Sequence, residues 1–144
     1  MAQEYRNIYQ IARESKGFTQ EKASELMDIS VDSLRAYEGD RRVPPDSVVI
    51  KMIEIFDAQY LAYQHMTTKT KLGEEFLPEL KLKNLAESVL TFLDKCEDLG
   101  KIKALMIKIS CDGVIDKGEK DSWNKIMLEI NNVIAAGIAL KFSK

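Results

Sequence analysis

Apolar residues in this chain recur at spacings of three and four almost everywhere, and strand-like alternation is scarce. That period belongs to helices with one buried face, so the chain is expected to be all-α. Local punctuation then cuts the first 65 residues into short pieces. Ile8, Ile11, Ala12 and Ser15 line one face of a first helix that stops at Gly17. Thr19 is placed to cap a second helix, with Glu21 in its first turn and Ala23, Leu26 and Met27 inward. Asp28-Ile29-Ser30 interrupts the pattern, and Ser30 can cap a third helix, Val31 to Glu38, burying Leu34 and Tyr37. Gly39-Asp40 ends it. Arg41 to Pro45 then bridges to a fourth helix, Asp46 to Phe56, with Val49, Ile53 and Phe56 inside. Ala58 to His65 makes a short fifth.

The next stretch, Met66 to Leu77, shows no helical apolar period and contains Gly73, which reads as a linker. The expected organisation is a compact bundle of five short helices over 1–66, a linker over 67–77 and a helical hairpin over 78–144. Charge divides the same way. All five arginines lie in the first half, and arginine suits fork-like recognition of phosphate and guanine. Yet residues 1–66 hold eleven Asp and Glu against eight Lys and Arg, so any DNA contact must come from cations gathered on one side. The formal net charge of −2 excludes a general affinity for polyanions.

The run from Gly17 to Gly39, Gly-Phe-Thr-Gln-Glu-Lys-Ala-Ser-Glu-Leu-Met-Asp-Ile-Ser-Val-Asp-Ser-Leu-Arg-Ala-Tyr-Glu-Gly, resembles the helix-turn-helix core of the lambda-repressor-like (Cro/XRE) family. The likeness extends through Arg42-Val43-Pro44 and covers about residues 8–65. Ala23, Met27, Ile29, Leu34 and Tyr37 are the inward residues that hold two helices around a short turn. Ser24 is small where the third helix crosses the second. The resemblance implies that the third helix enters the major groove, with Val31, Asp32 and Arg35 at base edges. Gln20, Ser33, Arg41 and Arg42 would then hold phosphates. Two positions depart from the family pattern. Asp28 stands where a glycine is usual, and aspartate is one of the few residues that tolerate the left-handed turn. Asp32 sits in the first turn of the reading helix. It can accept from cytosine, stabilise its own helix start, or repel phosphate.

The second half is helical too. Leu82, Leu85, Val89, Phe92, Cys96, Leu99, Met106 and Ile109 form a seam on one long helix, or on two broken near Gly100. Asp112-Gly113 marks a turn, and Asp116 with Glu119 forms an aspartate version of a capping box. The last helix carries Trp123, Met127, Ile130, Ile134 and Ile138 inward, with Ile126, Val133 and Leu140 alongside. Gly137 either admits close approach or weakens the helix. The two seams fold back as an antiparallel hairpin, which has little core of its own. Its wide apolar faces therefore pack on a second copy, through Leu85, Val89, Phe92, Trp123, Ile130 and Ile134, or within the chain.

Other chemistry finds little support. Lys117 and Trp123 stand where a calcium loop starting at Asp112 needs glycine and glutamate. His65 is the only histidine, with no cysteine near it, which argues against a zinc site or a histidine-based triad. Cys96 and Cys111 read as reduced thiols on buried helix faces. No enzyme activity and no cofactor is expected. Met1 to Arg6 shows no secretory signal, so the expected location is the cytoplasm. Two functions stay open: a dimeric repressor of phage or mobile-element type on an inverted-repeat operator in double-stranded DNA, or a protein-interaction module, an antitoxin or adaptor, that does not touch DNA.

Overall fold

The computed structural model describes residues 5–144; the start of the stretch read for a secretory signal lies outside them. Every regular element among the described residues is helical, and the chain divides into two compact units, with Leu77 ending the first and Pro78–Lys144 forming the second.

The first unit contains α1 (Ile8–Ser15), α2 (Gln20–Met27), α3 (Val31–Glu38), α4 (Asp46–Phe56), α5 (Tyr60–Lys69) and α6 (Lys71–Phe76). Side-chain caps place the first three. Asn7, Thr19 and Ser30 each accept from a backbone N–H three residues on, at 3.1 Å, and so satisfy amides that a helix start leaves without partners. Pro45 precedes α4 and supplies no such bond. Tyr9, Met27, Leu34, Met52 and Leu61 are essentially sealed from solvent at the centre.

Three inward assignments change. Ile11, Ser15 and Leu26 are exposed, and the buried face of α1 is Tyr9, Ala12 and Arg13. The reason is pairing. The Tyr9 hydroxyl meets His65 Nδ1 at 2.7 Å, and Arg13 meets Glu38, so two polar-tipped side chains can occupy sites that an apolar count gives to Ile11. On α2 the inward place beside Ala23 belongs to Ser24.

The expected linker is helical. Thr67 and Thr68 donate to carbonyls one turn back in α5, and Thr70, after bonding Met66 O, accepts from Gly73 N at 2.9 Å to start α6. A Cβ on buried Gly73 would strike the Met66 carbonyl, so only glycine lets α6 fold back this closely on α5.

The second unit holds α7 (Leu85–Lys101), α8 (Lys103–Ser110) and α9 (Lys120–Phe142). The break falls at Ile102, two residues past Gly100. Ser143 Oγ donates to Ser88 Oγ at 2.6 Å, and Phe92 packs on Gly137, so α7 and α9 run antiparallel. Between α8 and α9, Gly113 takes φ 76° and Val114 N donates to Asp112 Oδ1. The capping box forms with both bonds: Glu119 N to Asp116 Oδ1 at 2.9 Å and Asp116 N to Glu119 Oε2 at 3.2 Å.

On α9 Ile126 is fully buried, Val133, Gly137 and Leu140 are half-buried with Gly137 against Phe92 of α7, and Met127 and Ile134 are exposed. The Phe92 ring lies against Gly137, where an added Cβ would make an ordinary contact with it at 3.4 Å. At 100° per residue, Thr91 and Lys95 lie to one side of the α7 seam, and Asn132 and Ala136 to one side of the α9 seam. These four line a common cavity, so both sets share one face of the hairpin. Leu85, Val89 and Leu93, with Met127 and Ile134, therefore share the opposite face, and all five are exposed. Phe92, Trp123 and Ile130 are half-buried instead, Phe92 in the seam. Cys96 is half-buried and Cys111 exposed, so the expectation of two buried thiols does not hold for Cys111.

Candidate nucleic-acid interface

The site begins with a turn. Asp28, the α2 cap, takes φ 55° and ψ 50°, the left-handed conformation that its side chain tolerates. Its N–H bonds Glu25 O, Ile29 N bonds Ser24 O at 3.1 Å, and the chain re-enters a helix three residues later. Ala23, Met27 and Leu34 are completely buried between the two helices, which fixes what α3 leaves outside.

Behind α3 lies a buried ion pair. Arg13 Nε and Nη2 donate to Glu38 Oε1 and Oε2 at 2.6 and 3.0 Å, and Arg13 Nη1 donates to Phe18 O at 2.6 Å. Such a two-pronged pair keeps its geometry where water is excluded. Gln20 builds outward from it. Its amide nitrogen donates to Glu38 Oε2 at 2.8 Å, and its Oε1 accepts from Arg35 Nε at 3.2 Å. A chain of contacts thus runs from the core through Gln20 to Arg35, which stands half-exposed on α3.

The other candidates are less uniform. Val31 is half-buried and Asp32 almost fully exposed, with Oδ1 3.5 Å from an Arg35 nitrogen. Glu21 approaches another nitrogen of Arg35 at 3.4 Å. The Ser33 hydroxyl accepts from Ser30 Oγ, so it belongs to the α3 cap as well as to the face. Arg42 lies over the Tyr37 ring at 4.8 Å, and Arg41 projects from the same turn, where both backbone amides bond Ala36 O. Arg35, Gln20, Asp32 and Glu21 are thereby gathered at one place, with Arg41 and Arg42 beyond the end of α3.

Sequence reasoning missed four contributors. Arg13 and Glu38 occupy core positions of their helices, and two opposite charges on inward faces were the available signal. Asp40, at φ 54° just after α3, accepts from Lys69 at 2.7 Å, from Tyr5 at 2.9 Å and from Asn7 at 3.1 Å. The Lys69 bond, above all, holds its carboxyl below the ordinary carboxylate range. Lys69 lies in the stretch read as a linker, so this clasp had no local signal.

Among the described residues no group of His, Cys, Asp and Glu is placed to hold a metal ion, and no helix is long and apolar enough to cross a membrane. Residues 10–61 match the model of a helix-turn-helix family. Comparisons with curated proteins and with solved structures give no match. The matched segment takes in α2, α3, α4 and the turn at Asp28, and over these residues the chain is similar to helix-turn-helix domains of the Cro/C1 type.

Proposed function

We propose that the protein is a sequence-specific transcriptional repressor that binds DNA as a dimer. One observation carries the reading: the Arg35 guanidinium is tied through Gln20 to the buried Arg13–Glu38 pair, so it is oriented before any ligand arrives. An arginine so placed on the exposed side of α3 suits the two acceptors of guanine in the major groove. Val31 and Asp32 flank it, and Arg41, Arg42 and Ser33 are positioned for the backbone. The exposed face of Leu85, Val89 and Ile134 supports pairing of two hairpins, which would set two reading helices on an inverted repeat.

Selection of bound sequences from a random duplex pool tests this. The expected product is a pair of inverted half-sites about 34 Å apart, or a multiple of that distance. Arg35→Ala should then weaken binding by roughly 1–3 kcal/mol and relax one base position. Equal affinity of variant and parent removes Arg35 as a reader.

A second reading, a protein-interaction module such as an antitoxin or adaptor, is favoured by one contact set. Glu21 and Asp32 both lie within 3.5 Å of Arg35, so that part of the face has no excess of positive charge. Failure to bind any duplex at low salt would select this alternative.

A further inference from the structure

A cavity of about 310 Å³ opens between α7 and α9, on the side of the hairpin away from Val89 and Ile134. Residues 79–83, just before α7, run along its rim. Ala135, Ala136 and Ala139 make an apolar floor. Ser88 and Thr91 add hydroxyls from α7, the first deeply buried and bonded to Ser143.

The cations around the opening are not equivalent. Lys95 lies 3.5 Å from both Asp94 and Asp98, so its charge is compensated locally. Lys83 donates to the Thr91 hydroxyl at 3.2 Å, which leans an ammonium without a carboxylate partner on the cavity wall. Lys81 makes no hydrogen bond or ion pair with a described residue. Glu79 is the one carboxylate in the lining.

A concave space of this size, apolar below with a few polar groups at one edge, has the make-up of a small-molecule site at the lower end of the usual range. Two ammonium groups without carboxylate partners favour an anion. Glu79, and the acids already on Lys95, disfavour a polyanion.

We propose that this cavity binds a small amphiphilic anion: a short alkyl chain over the alanine floor, ending in a carboxylate or phosphate beside Lys81 and Lys83. The site lies wholly within the second unit and does not rest on DNA binding.

The full chain is titrated calorimetrically with octanoate and with octyl phosphate, both below micelle-forming concentration, with octanol and inorganic phosphate as controls. The expected result is one saturable site per chain for at least one of the two anions, and the two arms identify the preferred headgroup. Octanol and inorganic phosphate should each bind at least roughly tenfold more weakly, since each lacks one half of the recognition. The Lys81→Ala/Lys83→Ala double variant should weaken the anion by roughly tenfold or more. Ala135→Leu, which fills the floor, should abolish binding. Both of those lysines are exposed, so the double variant keeps its fold and decides the matter even if Ala135→Leu lowers the melting temperature. No saturation by either anion at roughly millimolar concentration, octanol binding as tightly as the anions, or an unchanged affinity in the double variant overturns the proposal.

Discussion

The two units use their apolar residues in opposite ways. In the first, Tyr9, Met27, Leu34, Met52, Phe56 and Leu61 close a core around which even charged groups are paired. In the second, the only apolar side chains that are fully buried are Ile109, Ile126 and Ala139, while Leu85, Leu90, Leu93, Ile107 and Leu128 are each more than half exposed. The difference comes from the number of packed layers. Two antiparallel helices have one seam between them, and a seam cannot cover apolar residues spread around both helices. Helices that cross from several directions can. Exposed apolar area on this scale marks an interaction surface, which is why the hairpin, and not the helix-turn-helix, is the proposed site of assembly.

The largest effect is expected in the first unit. Glu38→Ala leaves Arg13 charged, buried and without its partner, and should cost about 3–5 kcal/mol. Urea unfolding checks this with two signals, since Trp123, the single tryptophan, reports the second unit alone and far-ultraviolet circular dichroism reports both. The dichroism transition should split, with its early part lost from the first unit. A Trp123 transition that moves equally would mean that the two units unfold together.

A charge on the open face of the hairpin should have the next largest effect. Ile134→Glu sets two carboxylates close together across a two-fold interface, and should weaken the proposed dimer by roughly a hundredfold. Sedimentation over a concentration series measures it. Because Ile134 is 45 % exposed, the helical content of the isolated chain should not change. A variant that associates like its parent would move the contact to another surface.

Acid should separate the two units by a smaller amount. Burial lowers the His65 pKa below its ordinary 6.5, outweighing the opposing pull of Asp46. The folded state then binds fewer protons than the unfolded state as pH falls through 6.5. The stability present above that value is therefore lost progressively towards and below the lowered folded pKa. The first unit should weaken between pH 7 and 5. The second has no histidine, so its Trp123 transition should stay nearly level. His65→Gln should flatten the slope of the first unit. A slope of equal size in both units would assign it to other groups.

How much of this was legible in the sequence depends on the range of the signal. The bounds of α3 and α4 were readable because Ser30, Gly39 and Pro45 act within a few residues of where they stand. The left-handed turn at Asp28 was readable for the same reason. Partners far apart in the chain were not. Arg13 and Glu38 are 25 residues apart, and neither has a neighbour that announces the other. The place of Gln20 at the start of α2 suggests a phosphate contact, and its bonds to Glu38 and Arg35 have no signal near it in the sequence. On α9 two apolar rows fit the helical period equally well, and which residues meet α7, as Gly137 meets Phe92, depends on partners far off in the chain. The helical stretch after His65 was hidden for a related reason: α6 depends on a cap and a glycine contact, not on an apolar stripe.

The bond from Lys69 to Asp40 has a consequence in time. A ribosome delivers the chain from its amino end, so α1 to α4 leave it before Lys69 does. Until then the loop after α3 holds Asp40 with the neutral donors Tyr5 and Asn7 and no cation. A released fragment ending near His65 would carry the whole helix-turn-helix and still lack the clasp on that loop. The contacts of the loop after α3 are therefore completed only by a threonine-rich stretch that lies beyond it in the chain.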